Sequence, residues 1–413
     1  MKLSWDSSAL KRLPRGVWAL GFVSLWMDIS SEMIHALLPV YLVTVMGSSM
    51  VAVGFIEGIA EATAAITKVF SGALSDWLGR RKVLVVVGYG LAALTKPIFP
   101  LAPTLGWVVG ARFIDRVGKG IRGAPRDALL ADLAPEELRG ASFGLRQSLD
   151  TVGAFIGPLL AIGLMWALAG DIRLVFWAAV IPAVIAVWLL VTQVREPERE
   201  GGPARVKAPL SWAAARKLGG VYWAVVAVAA AFTLARFSEA FLVLKAHDDG
   251  LTVALVPVVL VVMNVAYALS AYPAGAMSDE KGGSRIKSLA VGVALLVVAD
   301  LVLALVPGLP GVWLGVVLWG VHMGFTQGAF SALVADTAPV ELRGTGFGML
   351  NLMTGGAILL ASVIAGVLWD GWGAQGTFLG GATLAFVALL SLWPLRRVMR
   401  KNSAAIAEEA GQA

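Results

Sequence analysis

Five cations crowd one short stretch, RFIDRVGKGIRGAPRD at residues 112–127: Arg112, Arg116, Lys119, Arg122 and Arg126, accompanied by Asp115 and Asp127. Successive residues of an α-helix turn by about 100°, so all seven charges fit within an arc of about 140°, with Phe113, Ile114, Val117 and Ile121 opposite. Such a ridge can hold an acidic group of a ligand, or keep carboxylates of the same protein charged.

Carboxylates with helical spacing recur upstream. Asp28, Glu32 and His35 share one helical face, and Glu57, Glu61 and Lys68 share another. Arg146 and Asp150 are four apart, and Arg236 and Glu239 three apart. A carboxylate caught between a dry wall and a nearby cation can gain or lose a proton when its surroundings change. Asp28, Glu32, Glu57, Glu61 and Glu239 are therefore the candidates for carrying a coupling proton. Arg112, Arg116, Lys119, Arg122, Arg126, Arg146, Asp150 and Arg236 are the candidates for holding a substrate. The competing reading is a set of structural ion pairs, which the near balance of seven acids and eight bases in the N-terminal half supports.

Other chemistries find less support. The chain has no cysteine, which excludes disulfides and thiol catalysis. His35, His247 and His322 are scattered, so no histidine metal site is expected. Asp28, Glu32, Glu57 and Glu61 could offer oxygen ligands to a hard cation, but the basic stripe opposes it. No Walker motif and no nucleophile–base pair is present, so neither an ATP-driven pump nor an enzyme is expected, and no cofactor. The formal net charge of +6 reads as membrane topology rather than nucleic-acid binding.

The elements that must position these residues are membrane helices. The chain of 413 residues is 58% hydrophobic and 15% charged, against about 25% charged in soluble domains. Apolar runs of about 20 residues, long enough to span a bilayer, recur throughout. Twelve spans are expected, at 17–46, 50–72, 83–102, 104–130, 141–168, 172–193, 219–246, 252–276, 286–307, 311–335, 344–369 and 374–395. Lys and Arg gather in alternate loops, the others holding only Arg173 and Lys245, which places both termini on the cytoplasmic side. The polar N-terminus leads into a full-length span, so no cleavable signal peptide is expected.

The chain repeats itself: ALLADLAPEELRGASFG (128–144) matches ALVADTAPVELRGTGFG (332–348) at an offset of 204 residues, and GALSD (72–76) matches GAMSD (275–279). Two pseudo-symmetric six-helix bundles follow. The expected division is a cytoplasmic N-terminus (1–16), a first bundle (17–193), a basic linker (194–218), a second bundle (219–395) and a cytoplasmic tail (396–413). The repeat also decides whether the charged stretch is a span. Its partner, 311–339, is a plain apolar span, so the stretch is expected to cross the membrane too. A base facing lipid costs about 2.5–3.5 kcal/mol, so five would cost over ~12. The stripe must therefore face protein or a water-filled cavity.

GALSDWLGRRK (72–82) resembles the cytoplasmic-loop signature of the major facilitator superfamily, with Gly72, Asp76, Gly79, Arg80 and Arg81 at the family's positions. GAMSDEKGGSR keeps Gly275 and Asp279 but spreads its bases. Arg112 resembles the family's span-4 arginine. GAFIGP (153–158), with Gly153, Gly157 and Pro158, resembles the span-5 signature of antiporters, although its downstream glycines match less well. The resemblance covers nearly the whole chain. It implies an all-α membrane protein of the major facilitator fold, working by alternating access, with the signature residues governing which face is closed. The expected function is proton-coupled efflux of a small amphiphilic or anionic solute by a monomer in the plasma (inner) membrane. Uptake of an organic anion with protons, export of a divalent cation, and a non-transporting membrane sensor or scaffold are the alternatives.

Overall fold

A computed structural model describes residues 12–78, 80–196, 215–279, 285–326, 329–339 and 342–411. The regular structure among them is helical. The helices are α1 (Arg15–His35), α2 (Leu38–Thr44), α3 (Met50–Leu78), α4 (Arg81–Thr95), α5 (Ile98–Leu101), α6 (Leu105–Leu133), α7 (Arg139–Ala167), α8 (Ile172–Ala178) and α9 (Val180–Gln193). The chain continues through α10 (Gly219–Ala235), α11 (Ala240–Asp248), α12 (Val258–Asp279), α13 (Arg285–Leu305), α14 (Gly308–Thr326), α15 (Ala329–Thr337) and α16 (Arg343–Gly411). Gly373, at φ 69°, breaks the helical geometry inside α16 and divides it into two helices.

Among the described residues, nine helical segments are long and apolar enough to cross a membrane. Val258–Ala271 is a shorter apolar helix. The charged stretch lies inside α6, an unbroken helix of 29 residues that runs on through Pro125. At about 1.5 Å per residue it is longer than the ~30 Å hydrocarbon core. Large apolar side chains cover the outside: Leu94, Trp166 and Leu269 are 73%, 70% and 74% exposed. That is the surface of a protein solvated by lipid, with backbone polar groups satisfied inside helices.

The chain forms two compact units, one from Met1–Tyr41 with Thr63–Ala208, the other from Leu42–Ala62 with Pro209–Ala413. In the first unit α1 packs on α7 and α9, and α4 packs on α6. Its core draws Val17, Leu20, Val23 and Met27 from α1, at helical spacing, together with Val85 and Tyr89 from α4, Leu129 and Leu130 from α6, and Ala186 and Leu190 from α9. In the second unit α10 packs on α16, α12 on α14, and α13 on both α14 and α16. The beginning of α3 belongs here. Met50 and Val51 donate their backbone N–H groups to Asp370 at 3.0 Å each, and Gly54 and Gly58 lie against Ser362 and Leu359 of α16.

The repeat reproduces joints between helices. Gly88 on α4 meets the backbone of Gly118 and Arg122 on α6, and Gly292 on α13 meets His322 and Thr326 on α14, all displaced by 204 residues. A Cβ at Gly88 would come within 2.6 Å of the Gly118 carbonyl oxygen. Glycine is what lets these helices approach so closely.

Candidate functional site

The polar centre of the first unit is built by four helices. Arg112, Arg116 and Arg122 of α6 are buried, Arg126 is half-buried and Lys119 is exposed. The stripe is thus sealed at its Arg112–Arg116 end, opens at Lys119 and closes again at Arg122. At the sealed end Lys96, which caps the C-terminus of α4, reaches Asp115 at 2.9 Å and the Ser31 hydroxyl of α1 at 3.1 Å, and Arg116 lies 3.8 Å from the other Asp115 oxygen. Lys96 and Asp115 are almost wholly shut off from solvent, so the pair satisfies charges that could not persist separately there.

Further along, Arg122 lies over the Tyr89 ring of α4, 4.3 Å from its centroid. The Tyr89 hydroxyl sits 3.2 Å from Ser24 Oγ of α1, which also accepts from Arg126 at 3.2 Å. Arg126 pairs with its neighbour Asp127, and Asp127 is 3.8 Å from Arg146 of α7. Arg146 in turn donates to Asp150 and to Gln147. A single network of charges and hydroxyls therefore joins α1, α4, α6 and α7.

Asp28 and Glu32, both half-buried on α1, face this network. Arg122, Lys119 and Arg126 attract Asp28, and Asp150 repels it. Glu32 lies 3.4 Å from His35 Nδ1 and feels Lys119 and Arg116. Two glycines seat the pair. A Cβ at Gly153 would stand 2.7 Å from the Leu25 carbonyl oxygen and 3.0 Å from Asp28 Cβ, and one at Gly157 would stand 2.7 Å from Glu32 Cβ. Gly153 and Gly157 of the GAFIGP stretch, with Pro158 buried beside them, thus let α1 press both acids against α7.

The other residues expected to carry protons or substrate lie in the second unit. Glu57, buried, and Glu61, half-buried, belong to the second unit with the first turns of α3. Arg236 and Glu239 are also there, 3.4 Å apart at the break between α10 and α11, where Arg236 leaves helical geometry at φ −100°, ψ 81°. Among the described residues no group of three or more His, Cys, Asp or Glu could hold a metal ion.

Of the loop signature, Gly72 sits in contact range of Ala124, and Arg80 is exposed just before α4. Arg81 bonds Asp132 at 2.7 Å and the Ala128 carbonyl, while its backbone N–H bonds Glu196. Gly79 lies outside the described residues, as do the side chains of Asp76 and Asp279. Sequence reasoning missed Asp132 and Glu196 as partners of Arg81, and Asp336 as the partner of Arg285. A signal for the two aspartates was present: Arg81 with Asp132, and Arg285 with Asp336, are related by the same 204-residue offset.

The major facilitator superfamily model matches residues 20–361 and 240–412. An uncharacterised MFS-type transporter of Methanocaldococcus jannaschii is 31% identical over 389 residues, covering 92% of this chain and 95% of that one. A multidrug resistance protein, MdtH, of Salmonella arizonae is 32% identical over 178 residues, 41% of this chain and 43% of that one. A crystal structure of a mutant of the nucleoside transporter NupG superposes with a TM-score of 0.77 at 13% identity, covering 92% of this chain and 99% of the other. The apolar helices, the doubled joints and the family match agree: this chain belongs to the major facilitator superfamily, and is a multi-pass membrane transporter.

Proposed function

We propose that this transporter exports a small amphiphilic solute in exchange for protons, with Asp28 and Glu32 carrying the proton. The observation that carries the reading is the seating of Asp28 and Glu32 against Gly153 and Gly157 of α7, with the cations of the α6 stripe and Asp150 acting on Asp28. The cations favour its ionised form, while burial and Asp150 oppose it, so modest changes in hydration move the proton. Gly153 and Gly157 couple those acids to any movement of α7. A solute whose polar end displaces the proton from Asp28 yields exchange, and alternating exposure of the site makes the exchange vectorial. The similarity to a multidrug resistance protein supports export. The inner membrane, cytoplasmic termini and a monomeric working unit complete the proposal.

A second reading has a specific observation in its favour. Exposed Lys119 acts on both Asp28 and Glu32. An anion bound at Lys119 and Arg126 would neutralise charges that favour the ionised form of Asp28, so anion and proton would bind together. That sign of coupling is symport of an organic anion.

One experiment tests both. A deletion strain screened against toxic compounds supplies the solute. Vesicles containing the purified protein then report whether that solute and protons move in opposite directions or together. Opposite movement, abolished by Asp28→Asn, supports exchange; joint movement establishes symport. Unchanged proton-linked flux in both Asp28→Asn and Glu32→Gln overturns the assignment of the proton to these acids.

A further inference from the structure

The buried pair of the first unit has no ionic equivalent in the second. Moving 204 residues on from Lys96 and Asp115 gives Asp300 on α13 and Trp319 on α14. The joint is the same, because Gly292 meets His322 and Thr326 as Gly88 meets Gly118 and Arg122. The lysine that would neutralise a carboxylate has itself become the carboxylate, and its acidic partner has become an indole.

Asp300 is 0% exposed, as is Trp319. Among the described residues neither Asp300 carboxyl oxygen has a hydrogen-bond partner, and neither has the Trp319 indole nitrogen. The walls are aromatic and tight. The Phe237 ring lies 5.4 Å from Trp319 and 5.6 Å from Phe378, and His322 meets Trp319 edge-on at 5.3 Å. A Cβ at Gly381 of α16 would stand 2.6 Å from Asp300 Oδ2 and 2.7 Å from the Phe237 ring. Of the ionisable side chains in this unit, His322 of α14 packs against Trp319, and Arg236 at the end of α10 acts on His322. Arg236 and Glu239 bond each other, and neither bonds the unpartnered oxygens of Asp300. An ionised carboxylate in such a place carries a desolvation cost of many kcal/mol. With Asp300 at 0% exposure and both Gly381 and Trp319 packed into the same joint, a proton is the ligand that needs no added space.

We propose that Asp300 is a second proton-binding site, in the C-terminal unit, which holds its proton in the closed surroundings seen here and gives it to water when transport movements hydrate α13 and α16. The step is a simple acid dissociation: the carboxyl O–H breaks, the proton passes to water, and the carboxylate is solvated until it is protonated again. The inference deepens the proton-coupled reading and rests on it for its role in transport, but proton binding itself can be measured without a solute.

Infrared difference spectra of the full chain in lipid nanodiscs, recorded between acidic and alkaline pH, make that measurement. The wild type is expected to show the carbonyl stretch of a protonated carboxyl that titrates and moves to lower frequency in D2O. Asp300→Asn should lose this band, and Asp28→Asn should keep it. If Asp300→Asn does not fold, Asp300→Glu should retain the band at a displaced frequency. A spectrum with no component that depends on residue 300 overturns the proposal. So does a component that neither titrates nor exchanges in D2O, which would be a sealed structural acid. Vesicle flux separates the two levels: a titrating Asp300 band without proton-linked flux would sink the coupled-transport reading and leave the proton site standing.

Discussion

Arg81 at the start of α4 pairs with Asp132 near the end of α6 at 2.7 Å, and Arg285 pairs with Asp336 at the equivalent place in the second unit. The two halves thus share an ionic fastening as well as a fold, although Asp336 lies only in the better-matched half of its motif and Arg285 in the divergent GAMSDEKGGSR region.

The two fastenings should differ in strength. The Arg81 and Asp132 side chains are 12% and 28% exposed, whereas Arg285 and Asp336 are 35% and 48% exposed. Arg81 also donates to the Ala128 carbonyl. Exposed ion pairs contribute about 0–1 kcal/mol, and less as water screens them. A double-mutant cycle on Arg81→Ala and Asp132→Ala should give a coupling of about 1 kcal/mol, and the cycle on Arg285→Ala and Asp336→Ala less than about 0.5 kcal/mol. Denaturation of the detergent-solubilised protein measures both, and equal couplings would contradict the exposure argument.

The glycines of α7 should separate into two kinds. A Cβ at Gly157 meets Glu32 and the Ile29 carbonyl, while one at Gly163 meets nothing within 4 Å. Gly157→Ala should therefore force α1 away from α7 and cost about 1–3 kcal/mol. Gly163→Ala should stabilise its helix by up to about 1 kcal/mol, since glycine is a poor helix former. Thermal unfolding compares the two. If Gly157→Ala matched the wild type in stability and transport, the close seating of Glu32 would be unimportant.

Legibility in the sequence followed the range of the interactions. Spans were readable because crossing a bilayer demands an uninterrupted apolar length. For α6, whose charges hide that signal, the repeat settled the matter through the apolar partner 311–339. The stripe itself was readable because helical periodicity is local. The partners were not. Lys96 and Asp115 meet only because Gly88 and Gly118 let α4 and α6 approach, and nothing in either segment alone names the other. GAFIGP was visible as a motif, but its contact with Asp28 and Glu32 depends on α1 packing on α7. Glu57 and Glu61 look like companions of Asp28 in sequence, yet the first turns of α3 pack on α16.

Tyr89 serves Arg122 with its ring and Ser24 with its hydroxyl. These roles can be separated. Tyr89→Phe keeps the ring and should cost about 0.5–1.5 kcal/mol, the range for one hydrogen bond. Tyr89→Leu removes the cation–π contact as well and leaves a buried guanidinium facing an aliphatic wall, so a further loss of about 1–2 kcal/mol is expected. Chemical denaturation ranks the two variants. If they were equally stable, the ring face would contribute nothing to holding Arg122.

The Lys96–Asp115 pair gives the sharpest test of how the first unit tolerates buried charge. Breaking such a pair on one side strands the other charge and costs about 3–5 kcal/mol, whereas replacing both partners with apolar groups of similar volume is often neutral. Lys96→Met alone should therefore be severely destabilised, because Asp115 would lose its 2.9 Å partner while Arg116 stands at 3.8 Å. Lys96→Met combined with Asp115→Leu should recover much of the loss, although Ser31 would lose its donor and Arg116 its nearby carboxylate. The second unit already carries a version without this ion pair, with Asp300 and Trp319 at the two positions, so the joint itself does not require it. Thermal unfolding of the single and double variants decides the point. A double variant no more stable than Lys96→Met would mean that the charges serve Arg116 and the rest of the stripe, rather than each other.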